Sequence, residues 1–389
     1  MVDVPNTPGP TVIDQKSGGA TLLEIEQQPD TWRQVADQID DRARQFLTDV
    51  LDRPNLRVIL IGAGTSAFGG QIIAPALRRH LGRRVDAVAT TDIVSNPRDY
   101  LDPSAPTLLV SFARSGNSPE SVAATTLADD LVDELWHLIL TCDPNGALAL
   151  DHAERSGSLT ILMPEQANDT GFAMTSSITS MMVACLSLLG DVGGSDVEKL
   201  AQAAERIIAA SGVVREIAQA GYRRFVYLGS GALQALARES ALKMLELTTG
   251  EVDTYPESPL GFRHGPKSVL DNDTLVIAFV STDQYTSRYD VDIIGEIRAQ
   301  LGAQKVLALS TGDSRDETDL FAGAFDELAD LEDSLVALAY LVVTQYLALF
   351  SCLRYDKNPD NPFPGGEVNR VVQGVTIYPF RTADTSVRR

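Results

Sequence analysis

Histidine, cysteine and tryptophan are scarce in this chain of 389 residues, with four, three and two copies. The three cysteines, Cys142, Cys185 and Cys352, are odd in number, widely spaced and flanked by apolar residues. That pattern excludes a disulfide framework and a thiolate zinc site, and predicts buried thiols in a reducing, cytoplasmic compartment. No run of His and Cys has metal-ligand spacing, so neither a metal nor another cofactor is expected. Positive charge is also short, at 32 Lys and Arg against 53 Asp and Glu, a formal net charge of -21. Such a surface disfavours nucleic acid and anionic membranes as partners, and an anion would need a local site of N–H groups and a few cations. Residues 1–20 lack the basic start and apolar run of a signal peptide and read as a mobile arm. Residues 171–190 and 335–353 are uncharged, yet carry Thr175, Ser176, Ser177, Thr179, Ser180, Thr344, Gln345 and Ser351. They read as buried helices and not as membrane spans, because those polar groups are easily paired inside a protein. With 44% hydrophobic and 22% charged residues, the chain is of the globular class and long enough for two domains.

An internal repeat organises the rest. Arg57-Val-Ile-Leu-Ile-Gly62-Ala-Gly64 returns 167 residues later as Arg224-Phe-Val-Tyr-Leu-Gly229-Ser-Gly231, and Thr107-Leu-Leu-Val-Ser-Phe112 returns at the same offset as Thr274-Leu-Val-Ile-Ala-Phe279. Residues 138–141 have a counterpart at 306–310 in nearly the same register. In each half, short β-branched runs alternate with segments of helical period, which predicts an α/β fold of parallel sheets covered by helices on both faces. The boundaries read as a helical lead-in within 1–54, a first half at 55–195, a second at 196–353, and a Pro- and Gly-rich tail at 354–389. A long loop of that kind is often functional.

Three motifs carry chemistry. Gly62-Ala-Gly64-Thr65-Ser66-Ala67 lies between a strand and a helix, where free N–H groups favour an anion. It also fits a dinucleotide fingerprint, but Asp86 starts the next strand and Asp92 follows it, neither well placed for a ribose. A plain turn is the remaining alternative. Ser111-Phe-Ala-Arg114-Ser115-Gly116-Asn117-Ser118-Pro119-Glu120 follows another strand and opens a helix, with Pro119 suited to its first turn. It gathers hydroxyls, N–H groups and one guanidinium, a set suited to a phosphate monoester. The plain alternatives are a helix cap for Ser118 and a solvated surface residue for Arg114. In the third motif Glu239, Lys243 and Glu246 share one face of a helix that ends at Gly250. A solvated face is the ordinary reading of such spacing. Against it stands the turn that follows, Gly261-Phe-Arg263-His264-Gly265-Pro266-Lys267, which presents one of the few histidines.

Together these motifs resemble the sugar isomerase (SIS) fold, and within it the AgaS-like family of tagatose-6-phosphate ketose/aldose isomerases. The resemblance spans nearly the whole chain, including Gln27-Gln28-Pro29 and the tail Val368-Asn-Arg-Val-Val-Gln-Gly-Val-Thr-Ile-Tyr-Pro379. It implies two tandem SIS subdomains of flavodoxin-like, doubly wound type, and a phosphorylated hexose or hexosamine as substrate. A more distant relative, the isomerase half of glucosamine-6-phosphate synthase, has the same Glu, Lys, Glu spacing followed by a His-Gly-Pro turn. By that similarity Glu246 would move a proton between C1 and C2, His264 would assist ring opening, and Lys243 and Glu239 would position it. Gly64, Thr65, Ser66, Arg114, Ser115, Asn117 and Ser118 would hold the phosphate. The relative takes its histidine from the neighbouring subunit, which implies a homodimer with shared sites.

Two positions depart from that relative. Ala113 and Arg114 stand where it has serine and glutamine, so charge would replace a hydroxyl. Gln373 stands nearest its Schiff-base lysine, and no motif supports Lys357 as a substitute. The expected reaction is deamination of galactosamine 6-phosphate to tagatose 6-phosphate and ammonia. Simple aldose–ketose isomerisation, or sugar-phosphate sensing without turnover, are the alternatives. A sensor would not need Glu246 and His264 together.

Overall fold

The computed structural model describes residues 19–312, 320, 321 and 323–380. The lead-in forms helices α1 (Gly19–Glu26), α2 (Gln28–Gln38) and α3 (Asp41–Leu51). Gly19 and Ala20 therefore belong to a helix, and the rest of the expected arm lies outside the described residues. The first half contains β1 (Arg57–Gly62), α4 (Thr65–Leu81), β2 (Val85–Ala89), α5 (Thr90–Ser95), α6 (Pro97–Tyr100), β3 (Thr107–Ala113), α7 (Pro119–Leu131), β4 (Leu135–Thr141), α8 (Ala147–His152), β5 (Ser158–Leu162) and α9 (Ser176–Leu189). The second contains α10 (Gly194–Ala209), α11 (Gly212–Gln219), β6 (Arg224–Leu228), α12 (Ala232–Leu247), β7 (Asp253–Glu257), α13 (Pro259–Phe262), β8 (Thr274–Phe279), α14 (Thr286–Leu301), β9 (Val306–Leu309) and α15 (Asp333–Arg354).

Each half is a parallel sheet, ordered β2-β1-β3-β4-β5 and β7-β6-β8-β9. The first order is that of flavodoxin-like folds, and the second repeats it without a fifth strand. The aliphatic runs of β1, β3 and β8 are buried along their whole length, as a sheet covered on both faces requires. The repeat extends to backbone detail. Gly64 (φ 54, ψ -124) and Gly231 (φ 56, ψ -119) cap α4 and α12 in one left-handed conformation that other residues rarely adopt. A Cβ on Gly62 would stand 2.4 Å from Ser66 Cβ, and one on Gly229 the same distance from the Leu233 carbonyl. Both helices thus pack too closely on the preceding strand for any side chain there.

Helix α15 lies at the centre, against α12, α11, α10 and α4. Among the described residues it is the one helix long and apolar enough to cross a membrane, and its apolar window is wholly buried in protein. Two of its polar oxygens are paired inside the protein: Gln345 Oε1 accepts from Gln28 Nε2 at 2.8 Å, and Thr344 Oγ1 accepts from Ser240 Oγ at 3.1 Å, while Gln345 Nε2 is buried without a partner among the described residues. In α9, Thr179 Oγ1 accepts from the buried Trp32 indole at 2.9 Å. The lead-in is thereby part of the core. The three cysteines are free and buried, as their apolar flanks predict.

The crevice between strands one and three of each sheet is where such folds bind ligands. In the second half it is already satisfied. Asp290 accepts from Ser230 Oγ at 2.6 Å and Ser281 N at 3.0 Å, while Asp333 accepts from Ser281 Oγ at 2.6 Å and Thr282 N at 2.8 Å. Carboxylates of the chain itself take the donors that an external anion would need. Only the first half keeps its crevice open among the described residues.

Candidate active site

The open crevice is a cleft of about 220 Å³ between the loops that follow β1 and β3. Ser66, on the first turn of α4, is buried, and its hydroxyl meets only the weak Met174 sulfur acceptor, at 3.8 Å. Thr65 also lines the cleft and donates to Glu239 Oε1 at 3.2 Å. Pro119 opens α7 as the sequence predicts, and Ser118 precedes it without making a side-chain cap bond, so the cap alternative is not taken. Ser115 Oγ accepts from Asn117 N at 3.3 Å. Asn117 does not line the cleft; its Oδ1 accepts from Ala147 N at 2.9 Å and so fixes the loop after β3 to the start of α8.

Arg114 is no surface residue. It is 7% exposed and reaches the carbonyls of Phe172 at 3.4 Å and Arg370 at 3.2 Å. Burial lowers its affinity for a proton, and Arg370 adds repulsion. Facing it across the cleft, α12 supplies the charged triplet. Lys243 is 1% exposed, with Nζ 2.6 Å from Glu246 Oε2 and 3.5 Å from Glu239 Oε1. Burial works against the ammonium, but the two carboxylates outweigh it and hold the pKa above its ordinary value. Burial pushes Glu239 up to about 7, against the pull of Lys243 and with added repulsion from Glu246. The solvated-face reading of α12 fails on this burial. Lys243 and Glu246 line the cleft, whereas Glu239 stands behind them.

His264 lies apart from this cleft, exposed in the turn between α13 and the short 3₁₀ turn Pro266–Val269. Asp86, weighed for a dinucleotide, is held by Arg57 at 2.6 Å and Arg84 at 2.8 Å. Sequence reasoning missed the roof. Residues 368–372 of the tail, with Phe172 and Met174, close one side of the cleft and bring Arg370 into it. The available signal was that Arg370 is the sole charge in the apolar run 368–380. Asp169 and Glu24 hold that roof from behind. Asp169 accepts from the backbone of Thr175, Ser176 and Ser177, and Glu24 from Gly171 N at 2.9 Å.

The SIS domain profile matches residues 51–189 and 216–349. An AgaS chain of Streptomyces coelicolor is 50% identical over 380 residues, 96% of this chain and 98% of that one. The D-galactosamine-6-phosphate deaminase AgaS of Escherichia coli O157:H7 is 44% identical over 379 residues, 94% of this chain and 97% of that protein. The crystal structure of tagatose-6-phosphate ketose/aldose isomerase from Escherichia coli superposes with a TM-score of 0.85 at 41% identity, covering 94% of this chain and 98% of that one.

Proposed function

This chain belongs to the AgaS-like family of SIS-domain proteins, and from that premise we propose that it deaminates galactosamine 6-phosphate to tagatose 6-phosphate and ammonia. The observation that carries the reading is the Lys243–Glu246 pair, 2.6 Å apart, at the wall of a cleft rimmed by Ser66, Ser115, Ser118 and Arg114. A base therefore faces an anion site across a space of sugar size. The phosphate would take the three hydroxyls and the guanidinium. Ring opening moves a proton from O1 to O5, a transfer suited to imidazole near neutrality. The open aldehyde acidifies the C2 hydrogen, which Glu246 removes and returns to C1. With one amine proton passing to O1, a C2 imine forms, adds water and expels ammonia, so the sum is aminosugar phosphate plus water giving ketose phosphate plus ammonia. Lys243, 2.6 Å from Glu246, keeps that carboxylate oriented between these steps.

The imidazole in this reading is His264 of a second copy. Its support is that His264 is exposed and absent from the cleft of its own chain. A homodimer with shared sites follows. No step needs a metal, and among the described residues no group of three or more His, Cys, Asp or Glu side chains could hold one.

The test is purified protein with galactosamine 6-phosphate, ammonia followed by coupled glutamate dehydrogenase and ketose by chromatography. Equal release of both is expected. A second reading, isomerisation without deamination, is favoured by the name of the Escherichia coli structure. It uses the same steps with a hydroxyl at C2. Ketose from galactose 6-phosphate, with no ammonia from the aminosugar, would select it.

A further inference from the structure

We infer that Arg370, carried into the cleft by the C-terminal tail, is a second ligand of the substrate phosphate, and that its charge closes the tail over the bound sugar. This rests on reading the cleft as a sugar-phosphate site.

Two guanidiniums line the cleft, and among the described residues neither is paired with a carboxylate. A guanidinium offers five N–H donors and keeps its charge when buried. Arg114 is buried at the cleft, yet its acceptors are two neutral carbonyls at 3.2 and 3.4 Å. Arg370 enters the same cleft and donates to another neutral carbonyl, that of Asp169. Among the described residues neither guanidinium forms an ion pair, and the nearby carboxylates are committed elsewhere. Glu246 holds Lys243. Asp169 accepts from the hydroxyls and N–H groups of Thr175, Ser176 and Ser177. Glu24 is taken by Thr170 and Gly171. Buried Arg114 and exposed Arg370 thus face one cleft with no described carboxylate in contact with either guanidinium, Asp169 and Glu24 attracting Arg114 only from farther off, and an anion bound there would meet both charges. A phosphate monoester dianion matches two guanidiniums in charge and in bidentate geometry.

The tail is built to deliver that charge. Asp360 ties it to the start of α1, accepting from Thr21 N at 2.8 Å and Thr21 Oγ1 at 2.7 Å. Phe363 packs against Phe172, the rings tilted by 48° with centroids 5.4 Å apart, and farther on Phe380 lies under Arg98. Residues 368–372 span the cleft between these anchors. Val368, Val371 and Val372 give that span an apolar wall, so closing it would also exclude water from the proton transfer. Arg370's bond to a neutral carbonyl is readily exchanged for one to a dianion.

The experiment uses the full chain, comparing wild type with Arg370→Ala, Arg370→Gln and Arg370→Lys. Calorimetry measures binding of inorganic phosphate, and steady-state kinetics measure galactosamine 6-phosphate. Arg370→Gln keeps a donor for the Asp169 carbonyl and loses the charge, so it guards against a change that merely loosens the tail. The expected result is that Ala and Gln each weaken phosphate binding and raise KM about 10- to 100-fold, the loss for a charged hydrogen bond, with a much smaller change in kcat. Lys should recover part of the loss. Unphosphorylated galactosamine should bind all four proteins alike. Rescue by Gln but not Lys, or unchanged phosphate affinity in Arg370→Ala, would overturn the inference. The two readings fail separately. Phosphate binding that depends on Arg370, without turnover of any aminosugar phosphate, sinks the proposed reaction and leaves the clamp. Full turnover with phosphate affinity indifferent to Arg370 does the reverse.

Discussion

The ammonium of Lys243 sits 2.6 Å from Glu246 Oε2, and Lys243 is buried while Glu246 reaches the cleft. A buried cation paired to a half-exposed carboxylate is a directional device. It fixes which carboxylate oxygen is used for pairing and, in the proposed reaction, leaves the other for a substrate proton. Glu239 completes the arrangement from behind, 3.5 Å from the same ammonium, and links it through Thr65 to the loop after β1.

Replacing Glu246 by Gln keeps the shape and removes the proton acceptor. Turnover should fall by roughly 100-fold or more while binding of the phosphorylated sugar persists. Single-turnover kinetics beside calorimetry separate the two. Near-full activity in Glu246→Gln would return the helix to a purely structural role.

Glu239→Gln should cost less activity, since Glu239 does not line the cleft. Its mark is on stability. A carboxyl held up to about 7 keeps its proton in the folded state where the unfolded chain releases it. Its contribution is therefore full below the ordinary carboxylate range and is lost as pH rises towards that value. The difference in Tm between Glu239→Gln and wild type should move in favour of the variant from about pH 5 to about pH 8. A difference that does not change with pH would mean that Glu239 stays ionised throughout.

The parallel sheets and the two loops were legible because aliphatic runs and glycine turns are local signals, repeated at one offset, whereas the flavodoxin-like arrangement came from the family resemblance. Burial of Glu239 and Lys243 was not, since i, i+4 spacing looks the same on a wet face as on a packed one. Nor was the closed crevice of the second half, where Asp290 reaches Ser230 across 60 residues. Arg370 was hidden for the same reason, meeting Arg114 across 256 residues. What such contacts share is that a loop or tail makes them, and no periodicity marks where a loop will land.

His137 and His152 lie ring to ring, 4.5 Å between centroids, on β4 and α8. Burial, then His137 and Arg155, push His152 down to about 4. A neutral ring favoured by the fold contributes stability that is present above the ordinary imidazole value and lost as pH falls through about 4. His152→Asn retains a partner for Ser158, which lies 2.9 Å from Nδ1. Its Tm should fall less steeply than that of wild type on acidification. Parallel curves would show that the pair does not titrate in this range.

The proposed sharing of His264 between two copies makes a prediction that a self-contained site cannot meet. Glu246→Gln and His264→Asn should each be inactive alone, because each removes one member of every site. Co-expressed with different tags, they form mixed dimers alongside the two parents. In a mixed dimer one cleft combines Glu246 of one copy with His264 of the other and is intact. The second cleft carries both substitutions and is dead. Random pairing therefore predicts roughly a quarter of wild-type activity in the whole mixture, and about half in the doubly tagged fraction. If His264 instead folded back to serve its own chain, every cleft in the mixture would lack one residue. The doubly tagged fraction would then be as inactive as its parents.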